Sequence, residues 1–320
     1  MNTPLGAGPE FDRIRSIAKE LAAHAGDLGD DAAVVPDGDG SLVISTDASV
    51  EDVHFRREWL SLEEIGWRAT AAALSDLAAM GARPVGVLAA LAVPASAPAG
   101  DPALVMRGVG AAASSTGASV IGGDLTSAAS WVVTVTVIGR TGRPVRRRGA
   151  RPGDTLWVTG ALGGARAALT AWQHGGKPAA AARAAFAHPE PRIEAGRWLA
   201  EHGAHAMLDL SDGLAADARH LAAASGVRVD IDLSRVPVAG AAVPASLALS
   251  LEPSLFAAQG GEDYELLAAL PDRFGEPEIR AFEVATGLAL TQVGTAHRGS
   301  GVRFMLRGER VSLEGFDHFR

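Results

Sequence analysis

The chain has 320 residues, 48% of them hydrophobic and 21% charged, with a formal net charge of -8 and no cysteine. Without cysteine there is no disulfide framework, thiolate zinc site, iron–sulfur cluster or cysteine nucleophile. Only two lysines occur, Lys19 and Lys177, the second followed by Pro178, so a Walker-type phosphate loop is excluded, and the acidic balance argues against a broad nucleic-acid surface.

The first ten residues hold neither a basic region nor an apolar run, so no signal peptide is expected. Phe11, Ile14, Ala18 and Leu21 mark an amphipathic helix, and residues 42–45 a short strand. Ser61 followed by Glu64 has the pattern of a capping box opening a long helix to about Met80. The longest apolar stretch, residues 84–95, is too short to span a bilayer, and a cytoplasmic protein is expected. Strands near 85–93 and 131–138 flank a helix near 101–116, and residues 140–154, rich in Gly, Pro and Arg, read as a connection between domains. A second unit follows, starting with a strand at 155–159. Its helices are predicted near 163–174, 191–202 and 213–224, and its further strands near 206–210, 227–233, 264–270 and 301–305. The fold class is therefore α/β, in two domains whose sheets are covered by helices, divided as residues 1–146 and 147–320.

Five segments place carboxylates where a plain globular protein would avoid them: Gly29-Asp30-Asp31, Ser45-Thr46-Asp47, Leu74-Ser75-Asp76, Gly122-Gly123-Asp124 and Asp209-Leu210-Ser211-Asp212-Gly213. They fall at expected strand ends and helix starts, where α/β folds gather ligand sites. Asp76 is the most informative. On a helix it lies within the apolar stripe of Leu62, Ile65, Ala69, Ala73, Leu77 and Met80, where an unpaired carboxylate costs several kcal/mol or loses its charge. A divalent cation shared with Asp31, Asp47, Asp124 or Asp209 would resolve the conflict, and Mg²⁺ suits such oxygen donors. Plainer readings stand beside this one: Gly-Asp-Asp as a turn, Ser-Thr-Asp as a cap, Asp212 as a helix-dipole partner, and Asp76 paired with an arginine. Gly260-Gly261-Glu262-Asp263-Tyr264-Glu265 reads as a turn into a strand with Glu265 facing solvent, or as part of the site. His54 is either a packed core histidine or a ligand contact, and Arg147 and Arg148 are either a solvated linker or a clamp on phosphate.

Taken together, these segments resemble the thiamine-monophosphate kinase family, in the superfamily that includes aminoimidazole ribonucleotide synthetase. The resemblance rests on Ser45-Thr46-Asp47 leading to His54-Phe55, on Leu74-Ser75-Asp76-Leu77-Ala78-Ala79-Met80-Gly81-Ala82, and on the closing Phe316-Asp317-His318-Phe319. It runs in order from residue 29 to the C-terminus. It implies a two-domain aminoimidazole ribonucleotide synthetase-like fold, with an N-terminal ATP- and Mg²⁺-binding domain whose sheet forms a barrel across a homodimer, and a C-terminal α/β domain. It implies phosphorylation of thiamine monophosphate to thiamine diphosphate with ATP as co-substrate and several Mg²⁺ ions, with neither nucleic acid nor membrane as partner. By motif position, Asp31, Ser45, Thr46, Asp47, Asp76, Asp124, Asp209 and Asp212 are the metal positions. Gly123, Asp124, Arg147 and Ser211 match nucleotide contacts, and His54, Glu262 or Asp263, and Phe316 match the thiamine side. Two positions depart: Asp52 stands where the family often has Gly, and Ala73 where it often has Asn.

The implied reaction joins two anions, so positioning and charge neutralisation dominate its needs. A chain without a phosphate-loop lysine must use metal instead. No general base is required, because a phosphate monoester has a second pKa of about 6 and is largely ionised at neutral pH. Glu262 or Asp263 is expected to complement the thiazolium charge while Phe316 packs against a ring. Among related enzymes, selenophosphate synthetase is disfavoured by the missing cysteine, and aminoimidazole ribonucleotide synthetase by the Phe-Asp-His-Phe ending. A non-catalytic metal or nucleotide binder would explain the acids but not the substrate-side residues.

Overall fold

The computed structural model describes residues 4–21, 24, 26 and 28–313. The first half contains α1 (Pro9–Leu21), β1 (Ala33–Asp37), β2 (Gly40–Val50), α2 (Leu62–Ala79), β3 (Arg83–Pro94), α3 (Asp101–Ser115), β4 (Ser119–Ala128) and β5 (Val132–Thr141). The second half opens with β6 (Thr155–Thr159), α4 (Gly164–Gln173), α5 (Ala180–Ala187), α6 (Ile193–Glu201), β7 (Ala206–Asp209), α7 (Leu214–Ser225) and β8 (Arg228–Asp232). It closes with α8 (Ala242–Ala248), α9 (Pro253–Ala258), β9 (Leu266–Leu270), α10 (Glu276–Thr286), β10 (Leu290–His297), β11 (Gly301–Leu306) and β12 (Glu309–Val311). Two sheets result, a five-stranded one ordered β1-β2-β5-β3-β4 and a seven-stranded one ordered β12-β11-β8-β10-β6-β9-β7.

In β5 the period-2 pattern of a half-covered strand is plain: Val133, Val135 and Val137 are buried and the residues between them are not. Asp47 stands opposite Val135 and Ser45 opposite Val137, so both project to the apolar side, where α2 packs. Thr46 stands opposite Thr136 on the other side, and the two hydroxyls are hydrogen-bonded at 2.9 Å.

Helix α2 is the element both sheets share. Ser61 and Glu64 form the expected capping box, with Glu64 N–H donating to Ser61 Oγ and Ser61 N–H to Glu64 Oε2. The expected apolar stripe is instead burial on nearly all sides: from Ile65 to Ala79 only Trp67 and Asp76 are not fully buried. This depth comes from α3 and α6, which approach through glycines. A Cβ on Gly66 would stand 2.0 Å from the Val105 carbonyl oxygen, one on Gly108 1.9 Å from that of Glu63, and one on Gly196 1.9 Å from that of Ala78.

Two expectations need correction. Ser45-Thr46-Asp47 does not end a strand, because β2 runs on to Val50, paired with β5 through residues 41–50. Gly122-Gly123-Asp124 likewise lies inside β4, a sheet edge paired in parallel with β3. Gly123 sits there because the strands close up: a Cβ on it would be 2.0 Å from the Ala89 carbonyl oxygen. The first sheet is also less covered than expected, since Ile121 and Leu125 on β4 are 58% and 60% exposed.

The α2–α3 contact gives a signed test. In an exposed helix Gly→Ala stabilises by about 1 kcal/mol. Here Gly66→Ala is expected to destabilise by about 1–3 kcal/mol through overpacking, read as a lower denaturant midpoint.

Candidate active site

A cavity of about 1040 Å³ opens between the two sheets, lined by residues of α1, β2, α2 and α4 together with the turns at 28–31, 209–212 and 259–264. At one end Asp31, Asp76 and Asp209, each from a different segment, bring carboxylate oxygens within 4.8 Å of one another. Asp209 ends the short buried strand β7, Asp76 leaves α2 where that helix meets the cavity, and Asp31 follows the Gly29 turn, whose φ is +102°. Asp76 accepts a hydrogen bond from the Ser45 hydroxyl. The nearby arginine, Arg147, bonds Asp31 rather than Asp76, with its Nε donating to Oδ1 at 2.8 Å. Asp31 Oδ2 is buried with no hydrogen-bond partner among the described residues.

The electrostatics follow from crowding and burial. Burial pushes the Asp31 carboxyl up, against the pull of the Arg147 charge. Burial, then the carboxylates of Asp47, Asp209 and Asp31, push Asp76 well above the carboxylate range. Burial and the Asp31 charge raise Asp209 to about 7. Arg147 is held firmly protonated by Asp31, with Asp209 and Asp76 behind it, despite its own burial. An all-oxygen donor set, an orphaned buried carboxylate oxygen and mutually raised acids fit a hard divalent cation such as Mg²⁺.

Arg147 belongs to the connection between the sheets, and that connection is fastened to the acid turn. Asp30 accepts from the Arg147 backbone N–H at 2.8 Å and from Arg146 Nη1 at 3.1 Å. Arg147, read from sequence as a solvated linker residue or a clamp, is partly buried and paired with Asp31.

Elsewhere in the cavity wall, His54 Nδ1 accepts from the Val50 N–H at 3.1 Å, which puts the proton of the neutral ring on Nε2. Asp52 takes φ +64°, so it supplies the left-handed turn that glycine would supply, and its N–H donates to the Phe55 carbonyl. Ala73 is fully buried. The loops 209–213 and 260–265 are zipped together by Glu262 N–H to Ser211 O and Tyr264 N–H to Leu210 O. Glu262 faces the cavity, whereas both Asp263 oxygens accept the Gly163 N–H at 2.9 Å, at the start of α4. Glu265 does not face solvent: it is buried, bonded to Thr159 and to Arg192 at 2.7 and 3.0 Å.

Of the residues singled out from sequence, Asp31, Ser45, Thr46, Asp47, His54, Asp76, Arg147, Asp209, Ser211, Asp212 and Glu262 line this one cavity. The Thr46 hydroxyl, however, is bonded to Thr136 on the opposite face of β2. Gly123 and Asp124 do not reach it within one chain: β4 is three strands from β2 in sheet order, roughly 14 Å at ordinary strand spacing. Phe316 and the rest of the Phe-Asp-His-Phe ending lie outside the described residues. Sequence reasoning missed Arg68, a buried arginine on α2 whose signal, a charge inside an apolar helix, was the one that flagged Asp76. It also missed Asp217 and His220, which lie with Asp212 in a second close group at the start of α7. Trp59 and Phe186 add aromatic surface to the cavity.

The chain belongs to the AIR synthase-related proteins. Residues 29–141 match the family described as AIR synthase related protein, N-terminal domain, and residues 151–304 its C-terminal domain. Within that class the chain belongs to the thiamine-monophosphate kinase family. It is 42% identical over 267 residues to the thiamine-monophosphate kinase of Mycobacterium tuberculosis (strain ATCC 25618 / H37Rv), covering 82% of this chain and 80% of that protein. It is 35% identical over 327 residues to the one from Caulobacter vibrioides, covering 97% and 90%. The solved structure of AaThiL complexed with AMPPCP and TMP superposes with a TM-score of 0.87 at 32% identity, over 97% of each chain. The hydrogenase maturation protein HypE in complex with ATP shares the fold alone, at a TM-score of 0.73 and 18% identity.

Two outcomes follow from the acid cluster and the turn. A carboxyl raised from 3.8 to about 7 holds its proton in the folded state while the unfolded chain has released it, so this contribution is full below pH 4 and is lost as pH rises towards 7. In chelator, thermal unfolding of the metal-free protein should show that fall, and Asp209→Asn should flatten it. Asp52→Gly, which relieves a left-handed non-glycine backbone, should stabilise by about 1 kcal/mol, measured by urea unfolding.

Proposed function

We propose that this chain transfers the terminal phosphoryl group of ATP to the phosphate of thiamine monophosphate, yielding thiamine diphosphate and ADP, the last step of thiamine diphosphate biosynthesis. The observation that carries the reading is the presence, in one cavity, of a close carboxylate cluster together with His54, Trp59, Arg68, Phe186, Glu262 and Tyr264. Transfer between two phosphates requires a site that gathers anions at one end and holds an organic cation at the other.

The residues divide accordingly. Asp31, Asp47, Asp76, Asp209 and Asp212, with Ser45 beside them, would hold Mg²⁺; Thr46, whose hydroxyl is turned to the other face of β2, would have only its main chain to offer. When bound, the ions supply the positive charge that offsets repulsion between the two phosphates. Arg147 and Ser211 are assigned to the ATP phosphates. His54, with its proton on Nε2, donates toward the substrate. Glu262 rather than Asp263 contacts the substrate, because Asp263 is committed to Gly163. Phe316 is assigned to the thiamine side from its motif. No residue is needed as a base, since the attacking phosphate oxygen is already ionised.

The protein works as a homodimer in the cytoplasm. None of the described helices is long and apolar enough to cross a membrane. The open β4 edge, with Ile121 and Leu125 exposed, supports pairing of two N-terminal sheets into a barrel. In that assembly Gly123 and Asp124 of one copy complete a site that they cannot reach in their own chain. The N-terminal part, 1–146, then carries ATP, Mg²⁺ and the dimer contact, and 147–320 closes the cavity.

The test is ADP release with thiamine monophosphate, ATP and Mg²⁺. Asp76→Ala is expected to lower kcat by about 100- to 1000-fold, whereas no single acid–base residue should dominate the pH profile, which should follow the substrate phosphate. Full turnover by Asp76→Ala would remove the metal argument.

A further inference from the structure

Arg68 is the charged residue most deeply set in the substrate wall, its side chain only 5% exposed. Its guanidinium lies over the Phe186 ring at 3.9 Å, and Nη1 donates to the Phe186 carbonyl at 3.0 Å. Nη2 bonds Glu262 Oε2, and the Tyr264 hydroxyl donates to the same oxygen at 2.6 Å. Both bonds fall on Oε2; among the described residues no donor reaches Oε1, while the Glu262 side chain is 26% exposed and lines the cavity. The backbone is strained to achieve this. Glu262 and Tyr264 have φ of +71° and +52°, and between them Asp263 is pinned to Gly163. Left-handed non-glycine residues persist only where the surroundings hold them, and they gather at ligand sites.

The charge balance decides what Glu262 can recognise. A carboxylate in contact with a guanidinium is a net neutral pair, so it offers a thiazolium cation little of the attraction an isolated carboxylate would. What survives is a directional lone pair on Oε1. The thiamine skeleton carries one strong N–H donor, the exocyclic 4-amino group of its pyrimidine. We propose that Arg68 and Tyr264 are positioning residues that aim Glu262 Oε1 at that amino group, so that the site selects its substrate by the aminopyrimidine rather than by the thiazolium charge. This rests on the kinase reading given above.

The experiment compares thiamine monophosphate with its 4-oxo analogue, which keeps the thiazolium and the phosphate but presents an acceptor in place of the donor. Two acceptors facing each other in a closed site are strongly disfavoured. Steady-state ADP release by the wild-type protein should favour thiamine monophosphate by about 100-fold in kcat/KM. Tyr264→Phe and Arg68→Met should raise KM for thiamine monophosphate, leave KM for ATP in place and shrink the preference, and Arg68→Lys should recover part of it. If Arg68→Met does not fold, the wild-type ratio and Tyr264→Phe decide the matter. Equal turnover of the two compounds by wild type, or a Tyr264→Phe ratio equal to that of wild type, overturns the inference and leaves the kinase reading standing. Absence of ADP release with either compound overturns the kinase reading and this inference with it.

Discussion

Three carboxylates brought within 4.8 Å of one another are the constraint on which the rest of this molecule depends. Two unit charges 4 Å apart at the effective dielectric of a protein surface repel by about 4 kcal/mol. Since the only acid the Arg147 guanidinium bonds among the described residues is Asp31, the fold supplies the remaining restraint by packing. It does so through α2, which is buried against both sheets and leaves Asp76 open only to the cavity. The glycines at α3 and α6 are part of the same arrangement, since they let neighbouring helices approach closely enough to fix α2 from either side.

The part of the cavity around Glu262 resolves a similar conflict differently. There Glu262 is matched by Arg68 at contact and by the Tyr264 hydroxyl, so the pair is electrically balanced without any bound ion. One cavity therefore holds a group of acids matched only in part, through Arg147 on Asp31, and a glutamate matched by both Arg68 and Tyr264. That asymmetry suits a reaction in which the polyanionic ends of two substrates must meet while an organic ring system is held apart from them.

Much of this was readable from sequence, for identifiable reasons. The capping box placed the start of α2, and Asp76 stood out because a carboxylate does not belong among alanines and leucines on a helix. The acid turns could be grouped because motif order matched a known family. Strand interiors were harder. Gly122-Gly123-Asp124 lacks the apolar alternation that marks a strand, so it read as a terminus although it is mid-β4, and nothing in its spacing showed that it lies on the far edge of the sheet. Thr46 and Asp47 are neighbours in sequence, but the pleat sends them to opposite faces. The Glu262/Asp263 choice needed the tertiary contact with Gly163, 100 residues away, which no local pattern encodes.

The connection between the sheets holds a further consequence. Asp30 grips its backbone and Arg146, while Asp31 grips the Arg147 side chain, so two adjacent acids share the fastening. Loss of either carboxylate would withdraw one of these grips and leave the other, so the turn and the connection would stay fastened at one point. The fastening is thus doubled: one aspartate holds main chain and its neighbour holds a guanidinium that lines the cavity, so the join between the two halves rests on two separate bonds rather than one.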